Sequence, residues 1–174
     1  MSNRITLLGF CLALTACGQA DSRIEVMQKE LENLQTEVKD LKVKQEWDEL
    51  SKTLSEIAYL TPGGDGYSAL RFDLGVLTVQ LVDIQPYANG SKVTLKLGNT
   101  LSADIDGLKA TIDYGKVDAN GGALNDTAKS KEVKVSKVLR QGAWTAVSVT
   151  LEGLPPTELG FLRVKNVSHT GIKL

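Results

Sequence analysis

Apolar positions follow three rhythms along this chain, and each predicts a different element. Ile5 to Ala13 is an apolar run broken only by Thr6, behind a single basic residue, Arg4. It is about half the roughly 20 residues that cross a bilayer as a permanent helix, which fits the hydrophobic part of a signal. From Ile24 the apolar positions alternate at spacings of three and four: Ile24, Met27, Leu31, Leu34, Val38 and Leu41. This is a heptad seam with Ile24 at an a position and Glu, Gln, Lys and Asn between. The next seam positions, Gln45 and Asp48, are polar, and a second set (Val43, Trp47, Leu50, Leu54, Ile57) takes over at a shifted phase. Ser22 and Glu25 fit a capping box. With no Gly or Pro from residue 22 to 61, the pattern predicts a long amphipathic helix over 22–60. Its length would be roughly 55–60 Å, with a bend near Gln45 as the alternative. Residues 61–66, Thr-Pro-Gly-Gly-Asp-Gly, end it as a hinge.

From Tyr67 the rhythm becomes two. Val93, Leu95 and Leu97 alternate with polar residues, as do Ala110, Ile112 and Tyr114; Val147, Val149 and Leu151; and Leu162 and Val164. Further strands are expected at 67–73, 76–85, 131–139 and 169–174. Asn89-Gly90 marks a hairpin, and Gly115 to Ser130 a long polar loop. Seven or eight short strands in residues 67–174 predict a mainly β domain behind an α-helical stalk. The expected form is an antiparallel β-sandwich, broadly immunoglobulin-like, with a small β-barrel as the alternative. About 100 residues suffice for a core without disulfides.

The end of the first apolar run changes the picture most. Leu14-Thr15-Ala16-Cys17 reads as a bacterial lipobox: an apolar residue, two small ones, then the cysteine that is acylated after cleavage. Residues 1–16 would be removed, and residues 17–21 would tether the stalk to the lipid. Several acyl chains on one cysteine hold firmly where a single chain is marginal. Gly18, in place of an aspartate, favours the outer membrane with the body facing the periplasm; the inner membrane is the alternative. Cys11 leaves with the signal and Cys17 carries lipid, so no disulfide, cysteine metal site or thiol nucleophile remains. Losing Arg4 leaves 19 basic against 21 acidic side chains, a net charge of −2 that gives no reason to expect nucleic acid.

In the order of its parts and in a few phrases the chain resembles the YajI-like lipoproteins, a family of small Gram-negative lipoproteins of uncharacterised function. The phrases are Leu74-Gly75, Pro86-Tyr87-Ala88-Asn89-Gly90-Ser91, Gly98-Asn99 and Tyr114-Gly115. Each reads as turn chemistry and none is catalytic. The resemblance implies a membrane-anchored envelope protein and carries no functional residues with it.

Candidate chemistry is sparse. His169 is the one histidine and has no ligand-like neighbours in sequence. Asp104-Ile105-Asp106-Gly107 and Asp118-Ala119-Asn120-Gly121-Gly122 superficially resemble calcium loops, but both lack the full ligand set. Lys129, Lys131, Lys134, Lys137 and Arg140 form a basic stretch. It would either meet anionic envelope polymers or guard an edge strand against pairing. Trp144 is the one strand tryptophan and belongs to a core, a rim or a sugar platform. The expectation is a non-enzymatic module without metal or cofactor beyond the covalent lipid on Cys17. It would contact the membrane through that lipid, and a protein partner or its own copies through the helical seam. Peptidoglycan, another glycan or another ligand is the alternative partner.

Overall fold

The computed structural model describes residues 17–173, so Leu14, Thr15 and Ala16 of the lipobox lie outside the described residues. Helix α1 (Cys17–Ser55) is continuous for 39 residues. It runs through Gln45 without a break, and the Gln45 amide reaches Glu49 one turn on at 3.2 Å. Two boundaries differ from expectation. Residues 17–21 lie inside the helix rather than forming a tether, and Ser22 is internal, not a cap. Gln19, Ala20 and Asp21 contain no breaker, and Gly18 sits in the first turn, where a poor helix former costs least. At the other end α1 stops at Ser55, not residue 60, because Ala58–Leu60 forms strand β1. Ala58 and Leu60 are buried there, and strand pairing with core burial outweighs the helix's continuation.

The phase shift along α1 has a geometric consequence. Trp47 follows Val38 by nine residues, about two and a half turns, so the second apolar set lies on roughly the opposite side of the helix. The described chain divides after Leu50 into two units.

The strands that follow are β2 (Ser68–Phe72), β3 (Gly75–Tyr87), β4 (Gly90–Asn99), β5 (Asp104–Asp106) and β6 (Lys109–Gly115). After a 3₁₀ turn (Asn125–Thr127) come β7 (Lys129–Lys134), β8 (Trp144–Leu151), β9 (Phe161–Ser168) and β10 (Gly171–Lys173). They pair antiparallel as two four-stranded sheets, β1-β9-β6-β7 and β2-β3-β4-β8, with β5 and β10 as a separate pair. Among the described residues no sheet closes into a barrel. The order also departs from the immunoglobulin one, because β2, β3 and β4 are a sequential meander within one sheet.

Alternation explains the core. Leu77 and Val79 of β3, Val93 and Leu95 of β4, and Val149 and Leu151 of β8 point inward from one sheet. Ala110 and Ile112 of β6 and Leu162 and Val164 of β9 point inward from the other, all in one hydrophobic cluster. The expected strand 131–139 is shorter than its pattern. Pairing ends at Lys134, and Leu139 instead forms a lone bridge to Ile105. The expected strand at 169–174 contributes only Gly171–Lys173 among the described residues.

The hairpin lies where the Asn-Gly pair predicts it but turns one residue earlier. Tyr87 pairs with Gly90, so Ala88 and Asn89 form the turn, and Ala88 carries a φ of 49°. Gly90 belongs to the strand, where any Cβ would strike the carbonyl of Leu151.

Candidate functional site

Helix α1 leaves its apolar residues uncovered. Ile24, Met27, Leu31, Leu34, Val38 and Leu41 are each 50 to 66% exposed. Val43, Trp47, Leu50 and Leu54 of the second set are exposed as well. Exposed single apolar side chains are ordinary, but a contiguous stripe of this length marks an interaction surface. Cys17 heads α1. Among the described residues no helix is long and apolar enough to cross a membrane.

The basic stretch divides by role. Strand β7 is one edge of its sheet and β8 one edge of the other. Lys131 donates to the carbonyl of Thr150 at 2.8 Å, and Lys129 to those of Glu152 and Gly153 at 3.2 and 3.0 Å. Lys137 donates to the carbonyl of Ala146 at 3.0 Å. Three of the five cations therefore cap the outward carbonyls of β8 or the turn after it, an edge that would otherwise offer itself for pairing. Lys134 and Arg140 are exposed.

His169 stands in the turn before β10 and meets Asp73, with Nε2 3.1 Å from Oδ2. Its Nδ1 is buried without a partner, so no serine completes a triad at this imidazole. The acidic loops are internally engaged. Asp118 Oδ1 accepts the backbone N–H groups of Asn120 and Gly122, both at 2.8 Å, closing its own turn. Asp104 accepts the N–H of Gln141, and Asp106 pairs with Lys173 at 2.9 Å. That ammonium holds the Asp106 carboxyl below its ordinary range, and the carboxylate in turn raises Lys173. Among the described residues, no three His, Cys, Asp or Glu side chains gather as a metal set.

Two features escape a sequence reading. Asn99 is buried, and its amide donates to the carbonyls of Ala103 and Leu139 at 2.8 and 2.9 Å while its oxygen accepts the N–H of Leu101. On the outer face of the β2–β3–β4–β8 sheet, Tyr67 and Trp144 meet edge to face, with ring centroids 6.2 Å apart. The indole lies over Gly98, where a Cβ would come within 3.2 Å of the ring. The only cue in sequence was the Gly98-Asn99 pair, which reads as a plain turn. A cavity of about 20 Å³ lies among the core side chains Leu70, Leu77, Val79, Leu95, Ile112 and Val164, room for about one water molecule.

A helix with an uncovered apolar seam, followed by a two-sheet antiparallel β domain, defines a small helix-plus-β protein. The family it matches is that of the "Protein of unknown function (DUF3251)", over residues 11–172, and the chain belongs to it. It is a YajI-like lipoprotein by that match and by its likeness to the uncharacterized lipoprotein YajI of Escherichia coli (strain K12). That relative is 24% identical over 170 residues, 94% of each chain. The solution structure of the E. coli protein matches with a TM-score of 0.59 and 17% identity, covering 98% of this chain and 89% of that one. The Salmonella enterica trimeric lipoprotein SadB matches with a TM-score of 0.71 and 22% identity, over 89% of this chain and 81% of that one.

Proposed function

We propose that this protein is a non-enzymatic, lipid-anchored envelope module whose copies associate through α1, with the β domain as a sandwich displayed in the periplasm. The observation that carries the reading is the exposed seam from Ile24 to Leu41 on an unbroken helix. Water-exposed Leu, Ile and Met at a and d positions gain most by entering the holes of a neighbouring helix. The S. enterica relative is a trimer, which favours three copies here. Cys17 is the acylated residue in this reading, and Gly18 behind it directs the protein to the outer membrane.

Sedimentation of the full chain tests the assembly. The wild type is expected as a trimer and Leu31→Lys/Leu34→Lys as a monomer with an unchanged β-domain melt. A monomeric wild type at tens of micromolar overturns it. The anchor is tested separately by Cys17→Ala, which should move the protein from the membrane pellet to the soluble periplasmic fraction. Retention of that variant in the outer-membrane fraction would reject acylation at Cys17.

A further inference from the structure

We propose that the outer face of the β2–β3–β4–β8 sheet binds a carboxylate-bearing glycan, a peptidoglycan strand, with Tyr67 and Trp144 as its stacking surface. The periplasmic location rests on the reading above; the surface itself rests on the sheet. Register places Ala69, Thr78, Gly98 and Trp144 in one row across the four strands. Gly98 is the gap in that row. Lacking a Cβ, it lets the indole lie across the sheet toward Tyr67, and both rings stay about half or more exposed, at 49 and 66%. Keeping two large aromatics in water is unfavourable, and a fixed pair held over a glycine is pre-organised for a ligand.

The chemistry around the rings selects the ligand. A pyranose has an apolar face of C–H groups, whose slight positive charge suits the negative face of an aromatic ring, and a rim of hydroxyls. Beyond the Trp144 row the same face continues with Lys96 beside Ala146, then Thr94 beside Ser148. From Trp144 to Thr150 that track is roughly 20 Å long, several sugar units. It carries the hydroxyls of Thr94, Ser148 and Thr150, the ammonium groups of Lys96 and Lys92, and no large aliphatic side chain. A protein-binding surface would instead cluster apolar residues around the aromatic anchors.

Charge completes the match. Arg71 of β2 and Lys96 of β4 are exposed on this face, and the Lys137 ammonium sits at the carbonyl of Ala146, next to the rings. Two carboxylates stand at the end bearing the rings: Asp65, exposed two residues before Tyr67 with its carbonyl on the Gln80 amide, and Asp73 in the turn after β2, which meets His169. The others lie toward the far end. Asp83 accepts the Gln85 amide, and Glu152 pairs with Lys131. Arg71, Lys96 and Lys137 thus outnumber Asp65 and Asp73 at the end bearing the rings, an excess of positive charge that suits the lactyl and peptide carboxylates of a cell-wall strand.

The test is co-sedimentation of the full-length protein with purified sacculi, each variant checked by thermal melting. The wild type should pellet. Trp144→Ala and Tyr67→Ala should each weaken retention about tenfold, Trp144→Phe should restore most of it, and Lys96→Glu should weaken it. In a Trp47→Phe background, soluble muropeptides should shift the emission of the remaining tryptophan, Trp144. A wild type that stays in the supernatant overturns the proposal, as does a folded Trp144→Ala that pellets like the wild type. Competition by uncharged N-acetylglucosamine oligomers as strong as by muropeptides would overturn the acidic-glycan assignment. Because this assay is done with purified protein, its failure leaves the anchor and the assembly to their own tests.

Discussion

Single residues set the joints of this β domain, and two make contrasting predictions. Asn99 ends β4 and through one amide ties the loop that follows it, at Leu101 and Ala103, to Leu139. Asn99→Ala should cost about 2–4 kcal/mol in urea unfolding, because two buried carbonyls and one N–H lose their partner together. A loss below about 1 kcal/mol would mean water replaces the amide. Ala88 is the opposite case. Its φ of 49° is a left-handed conformation that a Cβ disfavours, at the tip of the β3–β4 hairpin and fully in solvent. Ala88→Gly should therefore raise stability by about 0.5–1 kcal/mol, one of few sites where glycine helps. An unchanged or lowered denaturation midpoint would show the turn to be relaxed as it stands.

At the scale of elements, the sheets are held together at their edges as well as in their core. The lysines of β7 reach across to carbonyls at and beyond β8, so they guard an edge and bridge the two sheets at once. Lys129→Met/Lys131→Met keeps the methylene stems and removes the donors. It should lower stability by about 1 kcal/mol and raise light scattering on concentration, as the β8 edge becomes available for pairing. Unaltered stability and scattering would return these lysines to simple surface charge. Strands of five or more residues were legible in sequence because one face of each enters the core and alternation records it. The three-residue β1 and β5 are too short to show a period, and β10 is only the middle of the strand expected at 169–174. Ala58-Tyr59-Leu60 read as helix because nothing before Pro62 breaks one. The seam was legible for the same periodic reason. The Tyr67–Trp144 pair was not, since it exists only through the register of four strands. Nor was the division of the basic stretch, which depends on β7 and β8 both being edge strands.

For the whole molecule the decisive quantity is how much helix is available for assembly. The first seam spans fewer than three heptads before polar Gln45 and Asp48 interrupt it, short for a coiled coil that must hold itself together in solution. Acylation at Cys17 would change the balance. Copies confined to one membrane, all running in the same direction, meet at a far higher effective concentration than free chains. The apolar face then moves to the other side of α1 from Val43 onward, so a bundle tight at Leu31 and Val38 should open at Gln45. Cysteine crosslinking can read this directly, because Cys11 and Cys17 are the chain's two cysteines and the proposed cleavage would leave Cys17 alone. In cells, Leu31→Cys and Val38→Cys should crosslink efficiently, Gln45→Cys weakly, and Thr36→Cys, at the f position opposite the seam, not at all. The same seam cysteines in a Cys17→Ser chain, purified and dilute, should crosslink far less. Equal crosslinking at residues 36 and 38 would reject the seam. Equal crosslinking of Val38→Cys with and without the anchor would show that the helix assembles unaided, leaving the lipid only its role of address.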